Sequence, residues 1–316
     1  MIIALAGGVG GARMAMGLAA VLPPSKLTVI VNTGDDFEHL GFSISPDLDT
    51  VMYTLAGVNN PATGWGRVHE TWNFMQELAG LGGDDWFRLG DRDLAVHVLR
   101  TMALNNGVAL SDITMTLARR MGIRHRLLPM SDTPVRTRVV TSRGELAFQD
   151  YFVRLRCKPR VQGFRFAGSR RARLPAALQS IIHSGKVSAV IICPSNPYVS
   201  IDPIFSVPVI RAWIKHRNFP VVAVSPIVGG AALKGPAAKM MSEMKCEVSP
   251  LGVARHYGAR VDGWIIDRQD AKLSPHLERE GKSVVVTDTI MSTRAKSANL
   301  ARCTVSFARL LAADRA

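Results

Sequence analysis

The sequence predicts an α/β fold, a doubly wound Rossmann-like parallel sheet with a helix-rich insertion. The chain opens strand, glycine loop, helix, strand; apolar strand-length runs return after residue 188; and the stretch between carries helical periodicity. MIIALA is apolar throughout, as expected of a strand buried on both faces. The glycine loop Gly7, Gly8, Gly10 and Gly11 follows, then a helix-forming run over 12–21, closed by Pro23 and Pro24. LTVIV at 27–31 is the second strand of a βαβ opening. DLDTVMYTLAG, a Trp-rich segment, DLAVHVLRTMAL and LSDITMTLARRMG then read as helices. This divides the chain into a nucleotide-binding core, 1–46 and 125–316, and an insertion, 47–124. RVVTSRGELAF at 138–148 alternates about an Arg-Gly pair and reads as a hairpin. SAVIICPSNP ends a strand at a turn, 204–216 suits one helix, and VVAVSPIVGG repeats strand then turn. Short strands at 263–267 and 284–287 and an amphipathic helix over 293–313 complete the pattern.

Bulk properties narrow the function classes. At 316 residues, with 47% hydrophobic and 20% charged, the chain can bury a large core or two domains. The apolar start is too short for a signal peptide, no run is long enough to span a bilayer, and the four cysteines are scattered, so a cytoplasmic, thiol-reduced protein is expected. The net charge of +14 favours anionic partners. The densest basic stretch, residues 154–173, holds eight Arg or Lys and no acid, but no zinc finger, RRM or basic zipper accompanies it, so no nucleic-acid or membrane partner is expected.

Phosphate binding is the first chemistry the motifs suggest. A glycine loop between strand and helix offers backbone N–H groups and the helix dipole to an anion. The loop is not a P-loop, because no GK[ST] follows. It is also an incomplete dinucleotide fingerprint: Arg13 stands at the third glycine position and Asn32 where a ribose-binding acid belongs. SISPDLDT places Asp47 and Asp49 at a helix start, either as caps or, with Asp35 or Asp36, as ligands for a divalent cation. In RLGDRD, Arg88, Asp91 and Arg92 form a charged surface turn or an anion clamp. Ser195 and Asn196 of the PSNP turn have donors and acceptors suited to a base edge. The eight histidines show no metal spacing.

AGGVGGAR, VNTGDD, SPDLDTVMYTLAG, WFRLGDRDLA, LLPMSD, FQDYFV, PSNP, VSPIVGG and LGVARHYG, in this order, resemble the 2-phospho-L-lactate transferase family of deazaflavin coenzyme F-420 biosynthesis, over residues 1 to about 290. GWG, HETWN and WFRLGDRD are similar to its actinobacterial branch. The resemblance implies a magnesium-dependent transferase and suggests a homodimer. A phosphorylated C3 acid (2-phospho-L-lactate, phosphoenolpyruvate or 3-phosphoglycerate) would pass from a guanosine diphosphate-type conjugate to the ribityl hydroxyl of the deazaflavin Fo, releasing GMP. It places Asp49 and Arg88 at positions associated with Fo. We extend it to Asp49 orienting or deprotonating the hydroxyl, Asp47 with Asp35 or Asp36 holding magnesium, and the glycine loop with Ser195 and Asn196 binding the guanosine diphosphate part. Family members with lysine in place of Arg88 keep the charge but not the fork geometry. A nucleotide-sugar-binding regulator of the same superfamily and an NAD-type oxidoreductase are the alternatives.

Overall fold

In the computed structural model, which describes residues 1–315, the apolar runs become one parallel sheet of seven strands. In chain order these are β1 (Ile2–Ala6), β2 (Leu27–Val31), β3 (Arg126–Pro129), β4 (Ala189–Ile192), β5 (Val221–Val224), β6 (Gly263–Asp267) and β7 (Ser283–Thr287). Their order in space is β7-β6-β5-β4-β1-β2-β3. Ile3 of β1 lies opposite Thr28 of β2 and Val190 of β4, so β1 sits where the chain switches direction across the sheet. In such sheets the crevice beyond the strand ends at this switch is where ligands bind.

Alternation along β1 sends Ile3 and Leu5 to one face and Ile2, Ala4 and Ala6 to the other, each into its own apolar core. Three helices cover the second face: α1 (Gly8–Val21), α2 (Pro46–Ala56) and the C-terminal Arg294–Ala313, which contribute Met14, Leu18, Val51, Met52, Leu300 and Val305. A Cβ on Gly17 would lie 2.2 Å from the Ser297 carbonyl oxygen, so glycine sets how closely α1 meets the C-terminal helix. The opposite face is covered by Ala176–His183, Pro208–Lys215 and Pro250–Tyr257, which bury Leu178, Ile210, Ile214 and Val253. The sheet is therefore wound on both sides, as the sequence predicts.

The insertion is helix-rich, with α2, Asn73–Gly80, α3 (Asp91–Asn105) and Leu110–Arg120. It shares the main core through Ile113 and Leu117 and adds a small core around Ile44, Met75 and Leu89. Two local features differ from the expectation. The single helix over 204–216 is split into Asp202–Ser206 and Pro208–Lys215, because Val207, preceding a proline, adopts extended backbone (φ −69°, ψ 117°). An unforeseen hairpin, Phe37–His39 with Phe42–Ile44, turns at Leu40 and Gly41, both with positive φ. The expected hairpin forms from Arg136–Thr141 and Gly144–Ala147, and Val161–Ala167 joins it as a third strand carrying part of the basic stretch. All four cysteines are free thiols. Among the described residues, no helix is long and apolar enough to cross a membrane.

Candidate active site

The first turn of a helix leaves N–H groups without intrahelical acceptors, and α1 begins at Gly8 directly beyond β1. The Gly8 N–H donates to Asp47 Oδ1 at 2.8 Å. Asn32 Nδ2, at the tip of β2, donates to Asp47 Oδ2 at 2.9 Å and to the Val199 carbonyl at 3.1 Å, while its Oδ1 accepts from the Gly34 N–H at 2.7 Å. Asp47 thus makes no cap within α2 but bonds the start of another helix.

The loop glycines meet different demands. Gly8 has φ +63° and open space where a Cβ would stand, so there the backbone conformation requires glycine. At Gly7, Gly10 and Gly11 a Cβ would come within 2.4 Å of Asp47 Oδ2, 2.2 Å of the Pro194 carbonyl and 2.6 Å of Ser195 Oγ, respectively. Glycine at these three positions lets the loop pack on α2 and the PSNP turn. Ser195 Oγ accepts from the Gly7 N–H at 3.2 Å and donates to the Gly7 carbonyl at 2.9 Å, clamping turn to loop. Asn196 Oδ1 accepts from the Tyr198 N–H at 3.0 Å, and its Nδ2 meets the weakly accepting Met240 Sδ at 3.4 Å.

Asp35, Asp36 and Asp47 are all buried. Burial pushes the Asp36 carboxyl up to about 7 and the Asp47 carboxyl up to about 6. Asp35 is driven well above the carboxylate range by burial and by the neighbouring Asp47. Ser45 Oγ donates to Asp36 Oδ2 at 2.8 Å, whereas the buried Oδ1 atoms of Asp35 and Asp36 have no partner. Burial thus favours the protonated forms of all three, and at Asp35 the nearby Asp47 adds to it, a cost that positive charge beside Asp35 and Asp47 would relieve.

Asp49 sits one turn-edge away and faces α3. Arg100 grips it with both guanidinium nitrogens, Nη1 at 3.0 Å from Oδ2 and Nη2 against Oδ1. Burial works against the Arg100 charge, but Asp49 outweighs it and holds the guanidinium more firmly protonated than usual. His97 lies between, with Nδ1 3.8 Å from Asp49 Oδ2 and Nε2 3.4 Å from Asp93 Oδ1. The Tyr53 hydroxyl donates to Asp93. Burial tends to raise the Asp93 carboxyl, yet its contacts with His97 and Tyr53 prevail and hold it below the ordinary value. Asp49, Asp93 and His97 are close enough to share a cation, but Arg100 already supplies positive charge to Asp49. Among the described residues it is Asp49, Asp93 and His97 whose donor atoms come together as a metal would need, whereas Asp36 does not reach the cavity wall beside Asp35 and Asp47. Arg100 and His97 escaped sequence reading, although Asp93, His97 and Arg100 at steps of four and three share one face of α3.

Asp35, Asp47, Asp49, Asp93 and His97, but not Asp36 or Arg100, line one cavity of about 720 Å³ above the strand ends, of the size that takes a large cofactor or nucleotide. Gly7, Gly8, Gly10, Asp35, Asp47, Asp49, Ser195, Asn196 and Arg88 all reach it. Arg88 is exposed and stacks 4.5 Å over the Trp72 ring. Gly11, Asp91 and Arg92 are not brought to the cavity wall. Asp91 instead accepts from Thr71 Oγ1 and from the Asn73 and Phe74 N–H groups, fixing the start of Asn73–Gly80, and Arg92 is exposed. Trp65, Trp86, Phe87, Phe148 and Phe152 make much of the wall aromatic. From the basic stretch, Arg154 stacks 4.6 Å over Trp86, Arg165 pairs with Glu145, and the remaining basic side chains are exposed.

A family model described as 2-phospho-L-lactate transferase CofD matches residues 2–306. A Streptomyces griseus protein named phosphoenolpyruvate transferase is 42% identical over 314 residues, covering 97% of this chain and 98% of its own. A Methanosarcina mazei protein named 2-phospho-L-lactate transferase is 38% identical, with coverage of 96% and 99%. Among solved structures, a UPF0052-family protein of Bacillus halodurans superposes with a TM-score of 0.61 at 14% identity, covering 96% of this chain and 98% of that one. That last likeness concerns the fold alone.

Two outcomes follow from the buried charges. Arg100→Met strands the Asp49 carboxylate and is expected to cost about 3–5 kcal/mol in urea unfolding, with much of it recovered in Asp49→Asn/Arg100→Met. A double variant no more stable than Arg100→Met would contradict the pairing. For Asp36, a native carboxyl near 7 binds its proton more tightly than the unfolded chain does. Its contribution is therefore full below the ordinary carboxylate value and is lost as pH rises towards 7. Thermal melts in chelator should show Tm falling between about pH 4 and 7, and Asp36→Asn should flatten that fall; an unchanged slope would refute the assignment.

Proposed function

Because this chain belongs to the 2-phospho-L-lactate transferase CofD family, we propose that it transfers a phosphorylated C3 acid from a guanosine diphosphate-type conjugate to the ribityl hydroxyl of the deazaflavin Fo, releasing GMP. The observation that carries this reading is one cavity lined by two chemically distinct sets of groups. One set is the α1 N-terminus with Asp47 and Asp35, which suit a diphosphate with a dication. The other is Asp49, Arg88 and the aromatic side chains, which suit a flat ring system bearing hydroxyl groups. The names of the Streptomyces relatives favour phosphoenolpyruvate as the acid.

In this reading the hydroxyl oxygen forms a bond to the phosphorus on the acid side, the bond from that phosphorus to the GMP oxygen breaks with its electron pair leaving on GMP, and the hydroxyl proton passes to the departing GMP phosphate or to water. Magnesium, held by Asp47 with Asp35 or Asp36, would supply charge neutralisation at the diphosphate when bound. The first turn of α1 holds the phosphates through its N–H groups. Asp49 accepts the hydrogen bond of the ribityl hydroxyl and points it at phosphorus; its engagement by Arg100 supports orientation over proton abstraction. Arg88, free of acidic partners in its Trp72 stack, steadies the ring or its oxygens. Aromatic side chains exclude water, so positioning and electrostatics supply the rate, as in phosphoryl transfer generally. The strand-tip Asn32, committed to Asp47 and Gly34, leaves no ribose acid for an NAD-type site.

The assay supplies Fo, magnesium and each of three guanylylated acids and weighs the products. The expected product is a deazaflavin enlarged by one phospho-acid, with one GMP per turnover; no product from any of the three would overturn the proposal. Asp49→Asn should lower turnover by about a hundredfold or more while preserving GDP binding. Arg88→Ala should weaken Fo far more than GDP, and equal loss of both would place Arg88 elsewhere.

A further inference from the structure

Two rims of the cavity meet at one lysine. Thr63, Trp65 and Gly66 line it from the insertion, and Ala232 to Ala237 line it from the segment after β5. Lys234 Nζ crosses the gap, donating to the Thr63 carbonyl at 2.9 Å and the Ala62 carbonyl at 3.4 Å. A Cβ on Gly64 would lie 2.6 Å from Val9 of the first α1 turn and 3.5 Å from Lys234 Nζ. The ammonium therefore stands beside the helix end that faces the diphosphate.

Charge makes this placement informative. Asp35, Asp47, Asp49 and Asp93 line the cavity, against Arg13, Arg88 and Lys234. Arg13 Nη1 is tied to the Met291 carbonyl at 3.1 Å, and Arg88 stacks on Trp72 on the other side. The two hydrogen bonds of Lys234 go to neutral carbonyls, and an ammonium has three donors. Both rims turn at glycines. Gly229 and Gly230 form the turn of the small hairpin Ile227–Val228 with Ala231–Ala232, Gly235 follows Lys234, and Gly64 and Gly66 flank Trp65 on the facing rim, all with positive φ.

We propose that Lys234 is a clasp that binds the donor's diphosphate and, through the Ala62 and Thr63 carbonyls, closes the two rims over it; this rests on the donor reading above. The charged group it recognises is the diphosphate, so its contribution grows with phosphate count and is absent for the nucleoside. Exposed and outside the core, Lys234 can be replaced without disturbing the fold.

The test measures binding of GDP, GMP and guanosine, with magnesium, to the native protein, Lys234→Met and Lys234→Arg. Lys234→Met should weaken GDP by about tenfold, GMP less and guanosine not at all, while Fo affinity stays within about twofold; Lys234→Arg should recover part of the GDP affinity. Chymotryptic cleavage after Trp65, which is 53% exposed, should slow on adding GDP to the native protein and not to Lys234→Met. Equal GDP affinity in native and Lys234→Met overturns the clasp alone. A native protein that binds no GDP overturns the donor reading and the clasp with it.

Discussion

The site depends on one buried carboxylate. Asp47 accepts the Gly8 N–H at the mouth of α1 and Asn32 Nδ2 from the tip of β2, so three elements that form separately are tied at a single side chain. Gly7 must lack a Cβ because Asp47 Oδ2 occupies that space. The arrangement places negative charge where a helix would otherwise attract a phosphate. A carboxylate there and a diphosphate on the same helix end are compatible only with a cation between them. Burial raises all three carboxyls, Asp35, Asp36 and Asp47, and in the proposed reaction a dication beside Asp35 and Asp47 would offset that cost.

Asp49, two residues on, faces a different partner because a helix turns about 100° per residue. Asp47 looks back to the glycine loop and Asp49 looks across to α3, where Arg100 and His97 receive it. In the proposed reaction one helical turn would thereby serve the donor through Asp47 and the acceptor through Asp49. α2 buries Leu48, Val51 and Met52 against the sheet-face core, so both carboxylates stand on a rigid element.

Much of the architecture was legible in local sequence. Apolar runs of four to six residues followed by turn chemistry marked six of the seven sheet strands, since strands buried on both faces need no alternation. RLLP (126–129), short and led by an exposed arginine, gave no such run. The Phe37–Ile44 hairpin was missed because three-residue strands around Leu-Gly carry too little period to stand out. In the site, Gly8, Asp47 and Asp49 could be picked out because residue type and spacing named their chemistry. Arg100 could not, because its partner is 51 residues away and a mid-helix arginine is ordinarily a solvated one. Ser195 and the glycines beside it show the converse: their identities were noticed, while their contacts with one another come from packing that no spacing encodes.

In the proposed site Asp47 brings a metal ion to a diphosphate at the start of α1. Titrating GDP into native protein and Asp47→Asn, each with and without magnesium, measures it most directly. Magnesium should tighten GDP binding to the native protein by about tenfold or more and leave Asp47→Asn nearly unchanged. An equal magnesium gain in both proteins would contradict the claim, because the ion would then reach the phosphates without Asp47.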